Sequence, residues 1–305
     1  MSAQRFNKGR ILISLAVAAA LVVLAVEMIR PRAPASLQRW PSPNGYIDFL
    51  KAGKSVVAMP LLANSPSAWK LEELRDLVSQ NVEPLRLVHL GLSRECRVTT
   101  DFSTNAATYL GSHLPELASL KELCRVLTAE GRLAALEDRR GDAARSYLDA
   151  IRFGQESARG GLMIDKLVGL ACEARAEESL RGLINSLDAK QCREVIEGLE
   201  LIRRRSESAE NVLEQEKFYF RHVSGWRDRY VGFLMSRAMK PAQVNLVQKC
   251  RDQARKANVL LLDAAVHAYE LEKGERPKSL GELVPSYLKA IPLDPTTGTK
   301  LDYPL

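Results

Sequence analysis

The chain has 305 residues, 46% of them apolar and 27% charged, which excludes extensive disorder and leaves room for one large or two modest domains with a sizeable core. Its net charge of +7 does not point to nucleic acid. Arg5, Lys8, Arg10, Arg30 and Arg32 stand against Glu27 alone in residues 1–32, and the other 39 basic and 36 acidic residues leave only +3 for the body.

Residues 1–10 form a basic flank ahead of "ILISLAVAAALVVLAV", sixteen apolar or small residues from Ile11 to Val26 that Met28 and Ile29 extend. A span needs about 20 such residues, so 11–29 is predicted to cross the membrane as a helix. Lys8 and Arg10 place the N-terminus in the cytoplasm and the bulk of the chain outside it, on the inner (cytoplasmic) membrane. A cleaved signal peptide is the competing reading, with "APA" at Ala33–Ala35 as its processing site. Glu27, Arg30 and Arg32 stand where such a signal has small neutral residues, which favours an uncleaved anchor.

Residues 30–45 carry four prolines and read as an extended linker. From 46 to 252 the apolar period is almost wholly helical, and this stretch is predicted to be a helical extracytoplasmic domain. Leu71, Leu74, Leu77, Val78 and Val82 make one stripe, with Ser67 as a candidate N-cap and Pro84 opening or kinking a helix. Residues 96–113 read as a loop. Helices are expected over 115–137 and 141–158, the second stopped by "ARGG", then over 162–185, where Asp165 and Lys166 are assigned to the surface. Asp188 caps the next helix, whose core stripe is Cys192, Val195, Ile196, Leu199 and Leu201–Ile202. Short connections imply antiparallel neighbours.

Residues 115–158 partly resemble a tetratricopeptide repeat, since Ala143, Tyr147 and Ala150 follow the small–aromatic–small spacing of its second helix. Gly141 stands closer to Ala143 than the repeat's turn glycine does, and generic hairpin packing produces the same spacing. In 214–240, Glu214, Glu216 and His222 are candidates for a carboxylate–histidine pair. Phe218, Phe220, Trp226 and Tyr230 are candidates for stacking on bases or sugars. The alternative for that stretch is an amphipathic helix with an aromatic core face. Cys96, Cys124, Cys172, Cys192 and Cys250 lack zinc-ligand spacing and are expected as buried thiols, with Cys96–Cys124 as the one disulfide considered. No nucleotide, metalloprotease or nucleophile-elbow motif occurs, so no cofactor, metal or catalytic residue is nominated.

The last stretch, 253–305, reads as an apolar helix ended by Gly274, a capped short helix at Ser279–Glu282, and proline-set turns. Tyr269, Gly274, Pro277, Leu280, Leu283, Pro292, Asp294, Pro295, Gly298 and Tyr303 resemble the segment after the long helix of the type II secretion major pseudopilin. The tail also resembles that of uncharacterised bacterial single-span membrane-anchored helical proteins. The first resemblance implies that the tail folds back on its helix, with Tyr269, Leu280, Leu283 and Tyr287 filling the gap. It does not extend to processing, filament packing or calcium binding. Gly9 is followed by Arg10, the fifth residue after it is Ser14, and the chain reaches Leu305 before the family's calcium loop. Asp294 reads as a turn former, not an acid.

The expectation is an all-α protein: one N-terminal transmembrane helix, antiparallel helical hairpins of generic or repeat-like packing, and a turn-rich tail. Its expected role is protein binding or scaffolding at the envelope, with a link to secretion or pilus-like machinery implied by the tail resemblance. The alternative is an envelope enzyme, a glycan hydrolase whose carboxylates meet only in the fold.

Overall fold

The computed structural model describes residues 40–58, 70–223 and 239–304. Among them the protein is all-helical. Helices α1 (Gly45–Ser55), α2 (Leu71–Gln80), α3 (Val82–Leu92) and α4 (Ala106–Leu136) are followed by α5 (Arg140–Glu156), α6 (Met163–Ile184) and α7 (Ala189–Arg205). Then come α8 (Ala209–Val223), α9 (Lys240–Lys273) and a 3-10 turn at Leu280–Leu283. The one extended pairing among these residues is an isolated bridge between Leu293 and Lys300. No described helix is long and apolar enough to cross a membrane. The predicted span at 11–29, Ser67, Trp226 and Tyr230 lie outside the described residues.

Most helix ends are set by local chemistry. Asn44 caps α1, accepting from Tyr46 N at 3.1 Å. Asp188 and Gln191 cap α7 reciprocally, with Gln191 N donating to Asp188 at 2.8 Å and Asp188 N to Gln191 at 3.0 Å. Gly274 closes α9 at φ 75°, a left-handed conformation that costs a residue with a Cβ more than it costs glycine. Pro84 sits in the first turn of α3, so it opens a helix and does not kink one. Between α2 and α3 the buried Asn81 replaces helical bonds with its side chain, donating to Leu77 O and Val57 O and accepting from Val57 N, each at 2.9 Å. That break turns Val82 out to 63% exposure, off the predicted stripe.

Three local expectations are corrected. Residues 106–113 are helical: Asn105 caps α4 by accepting from Thr108 N at 2.9 Å, and Pro115, which reads as a helix start, lies inside the helix. Ser279 makes no side-chain cap, and the Glu282 carboxylate accepts instead from Tyr269 Oη at 2.9 Å. Leu201 is 43% exposed, whereas Cys192, Val195, Ile196, Leu199 and Ile202 are buried as expected.

The helices share one main core, joined by Leu283, Tyr287, Leu288 and Leu301 of the tail. Tyr269 and Tyr287 pack with ring centroids 5.6 Å apart. Arg193 clamps this region, bonding Glu272 twice at 2.7 Å and lying over the Tyr287 ring. Asp294 accepts from Thr296 N at 2.7 Å and Thr297 N at 3.1 Å, which makes it the turn former anticipated and holds its carboxyl low. All five cysteines are free. Cys96 Sγ points at Gly91 O and Cys124 Sγ at Cys172 O, so the Cys96–Cys124 bridge is not made.

The helix that organises the rest is α6, which packs most extensively on α5 and also meets α4, α8 and α9. Its crossing with α5 is made by glycines. A Cβ built on Gly169 would fall 2.5 Å from Gly154 O, and one on Gly154 would fall 2.8 Å from Gly169 O. The two backbones touch there. On the other side of α5, Ala143, Tyr147 and Ala150 are buried against α4, and the Tyr147 ring lies over Gly131.

Candidate functional site

Because α6 is enclosed on several sides, its buried positions do not form one apolar stripe, and charged residues are carried inside. Asp165 and Lys166, assigned to the surface above, are 1% and 3% exposed. What permits Asp165 to be buried is one partner distant in sequence and one at its own helix end. His113 of α4 meets it through Nε2 at 2.6 Å, and its other oxygen accepts from Leu162 N at 2.7 Å. His113 Nδ1 faces Glu116 at 3.1 Å. Burial opposes a charged imidazole, but the two carboxylates prevail and its pKa is raised. Glu216 of α8 accepts from Met163 N at 2.8 Å at the same helix end, and burial raises its carboxyl. A helix N-terminus that offers N–H groups to carboxylates in this way is well satisfied.

The candidate pair in α8 does not assemble. Glu216 is buried, Glu214 is exposed, and exposed His222 is bonded to Phe218 O at 3.0 Å. Tyr219 is 1% exposed and packs on Phe102 and Tyr109, which makes the described part of this stretch an aromatic core face.

Farther along α6 lies a different arrangement. Lys166, Glu173 and Glu177 line a cavity of about 100 Å³ between α5, α6, α7 and α9, with Gln155 and Gln253 beside them. Glu173 receives Gln155 Nε2 at 3.3 Å through one oxygen, while its Oε1 has Lys166 Nζ only at 4.0 Å. Neither Glu173 Oε1 nor Glu177 Oε2 has a hydrogen-bond partner among the described residues. Burial, with the Glu173 charge adding to it, pushes the Glu177 carboxyl up to about 8, and burial raises Glu173 as well. Glu177 is therefore neutral near pH 7 and offers an O–H donor.

Glu177 is also part of the wall of a second and larger feature. A groove of about 830 Å³ runs over the outer face of α6, bordered by Arg132 and Ala135 of α4 and Lys256 of α9. Its floor is the α6 sequence Ala171, Arg175, Glu178, Gly182, spaced to share one helix face. The floor is low: a Cβ placed on Gly182 would meet nothing within 4 Å. Arg181 is held by Asp263 at 3.3 Å. Arg132, Arg175, Glu178 and Lys256 make no ion pair among the described residues, and Arg132 Nε is enclosed without an acceptor.

Comparison with known protein families, with curated proteins and with solved structures finds no match to this chain. Of the charged residues at the groove and cavity, the sequence pattern brings out Lys166 alone, and as a surface residue. One signal was present: Lys166, Leu170, Glu173, Glu177, Leu180 and Ile184 follow a single core spacing, so their charged members fall where core residues belong.

Proposed function

We propose that the chain is a single-span inner-membrane protein with an all-helical extracytoplasmic body that binds another protein through the groove over α6. The groove carries this reading, because it combines small residues, Ala171 and Gly182, at the two ends of its floor with cations that make no ion pair among the described residues. Helical hairpins commonly offer such grooves to partner segments. The apolar run at 11–29, its basic flank and the linker at 30–45 support the anchored topology. The tail resemblance supports a place beside secretion or pilus-like machinery. A near-neutral body supports a protein partner over nucleic acid.

The test is site-specific photo-crosslinking in intact cells, with the reactive residue at Gly182 in the groove or at exposed Lys190 as control. The reading expects one envelope protein at Gly182 and none at Lys190. Equal, non-selective labelling at both positions would sink it.

A glycan hydrolase is the second reading, favoured by the meeting of Glu173 and Glu177 at one cavity. The cavity's 100 Å³ is well below the roughly 300 Å³ at which small-molecule sites begin, so it ranks behind binding. Hydrolysis of a cell-wall glycan by the purified chain, lost in Glu173→Gln, would reverse the order.

A further inference from the structure

The groove's charges are specific enough to describe what fills it. Three cations that make no ion pair among the described residues surround it, one from each bordering helix and one from the floor: Arg132, Arg175 and Lys256. Midway along the floor stands one exposed carboxylate, Glu178, also without an ion pair among the described residues. Glu177, only 4% exposed, closes the wall beside them with Oε2 unpartnered. An internal donor that finds no acceptor in its own chain is costly unless a ligand supplies one.

We infer that the groove takes an acidic helical segment of a partner protein, carrying carboxylates toward Arg132, Arg175 and Lys256 and a single basic residue toward Glu178. This inference rests on the protein-binding reading above and specifies its partner. Small floor residues at Ala171 and Gly182 let a second helix approach closely, as small side chains do wherever helices pack tightly. Arg132 and Arg175 offer planar forks suited to carboxylates, and protonated Glu177 donates to a carboxylate oxygen it could not face if ionised. A phosphate chain fits less well, because Glu178 interrupts the cations and phosphate binding depends on an uninterrupted basic track.

The full chain, purified in detergent, would be titrated with a fluorescent alanine-based helix bearing glutamates at successive turns and one central lysine. The charge-reversed helix and a single-stranded oligonucleotide serve as comparisons. The acidic helix is expected to bind in preference to both, with affinity falling as salt rises. The double variant Arg175→Glu, Lys256→Glu is expected to weaken it about tenfold and to strengthen the reversed helix. Both side chains are at least partly exposed, so the circular dichroism spectrum should not change. Should that variant misfold, Arg175→Gln with Lys256→Gln is expected to show the same weakening at smaller size. Equal affinity for the two helices, no response to either double variant, or tighter binding of the oligonucleotide would overturn the inference. If crosslinking from Gly182 captures a partner through a basic or apolar segment, the acidic occupant is wrong while protein binding stands. If Gly182 captures nothing, the earlier reading fails as well.

Discussion

At its first turn α6 buries Asp165 with both oxygens bonded, whereas about two and three turns later it buries Glu173 and Glu177 with one oxygen of each left without a donor. The same helix thus treats interior charge in two ways. At the first site His113 and a backbone N–H offset the desolvation of the carboxylate, and the charge becomes a tie between α4 and α6. At the second, Lys166 stays 4.0 Å from Glu173, and the protein relieves the cost by keeping Glu177 protonated. A polar group satisfied within the chain builds structure. One left open is available to something outside it.

The contact holding both sites in place gives the largest expected effect. Gly169→Leu would drive a side chain into Gly154 O and Ala158 Cβ, and since backbone cannot yield as a side chain can, a loss of about 3 kcal/mol or more is expected in chemical denaturation. A stability within about 1 kcal/mol of the parent would mean that α5 and α6 do not meet there.

The two carboxylate sites are then set against each other by isosteric substitution. Asp165→Asn removes the charge that His113 faces and should cost about 3 kcal/mol. Glu177→Gln should change stability near pH 7 by less than about 1 kcal/mol, since it replaces a neutral group with a neutral group. Equal losses in the two variants would erase the distinction drawn between the sites.

Titration sharpens the same comparison. Folded Glu177 holds its proton up to about pH 8, whereas an unfolded glutamate releases it near the ordinary value of 4.5, so the folded state binds more protons between these limits. Its contribution to stability is therefore complete below 4.5 and is lost as pH rises through 8, with a slope of up to about 1.4 kcal/mol per pH unit. Glu177→Gln should remove that slope from a series of denaturation curves. His113, whose pKa is also raised, adds a loss in the same direction, starting above its unfolded value and completed as pH passes its folded one. This second slope should survive in Glu177→Gln and vanish in His113→Gln.

The smallest effect belongs to the surface clamp on the tail. Arg193, with help from Tyr287, holds the Glu272 carboxyl down to about 2, so the contribution of that pair is present above the ordinary glutamate value and fades as pH falls toward 2. Both partners are substantially exposed, and Glu272→Gln should cost less than about 1 kcal/mol in thermal unfolding.

How far the sequence reveals this architecture depends on where each element sits. The interior stripe of α7 is legible because that helix has one solvated face, and its cap is legible because Asp188 and Gln191 are three residues apart. The N-terminal part of α4 is obscured by Pro115, which has the look of a start signal although the helix begins nine residues earlier at Ala106. The interior of α6 is obscured for a different reason. Asp165 reads as surface because the Leu162 N–H three residues away satisfies only one of its oxygens, and His113, which meets the other, lies 52 residues away and is brought there only by tertiary structure. The groove is less legible still, since Arg132, Arg175 and Lys256 come from three helices and nothing in their local spacing joins them.

The contact between Gly154 and Gly169 also limits how α6 can move. Two backbones in touch act as a notch: sliding α6 by one residue along its axis would bring a Cβ to the crossing, so axial travel is blocked in both directions. A segment of the kind proposed for the groove would therefore rest on a fixed bed, and accommodation would have to come from the bordering helices α4 and α9.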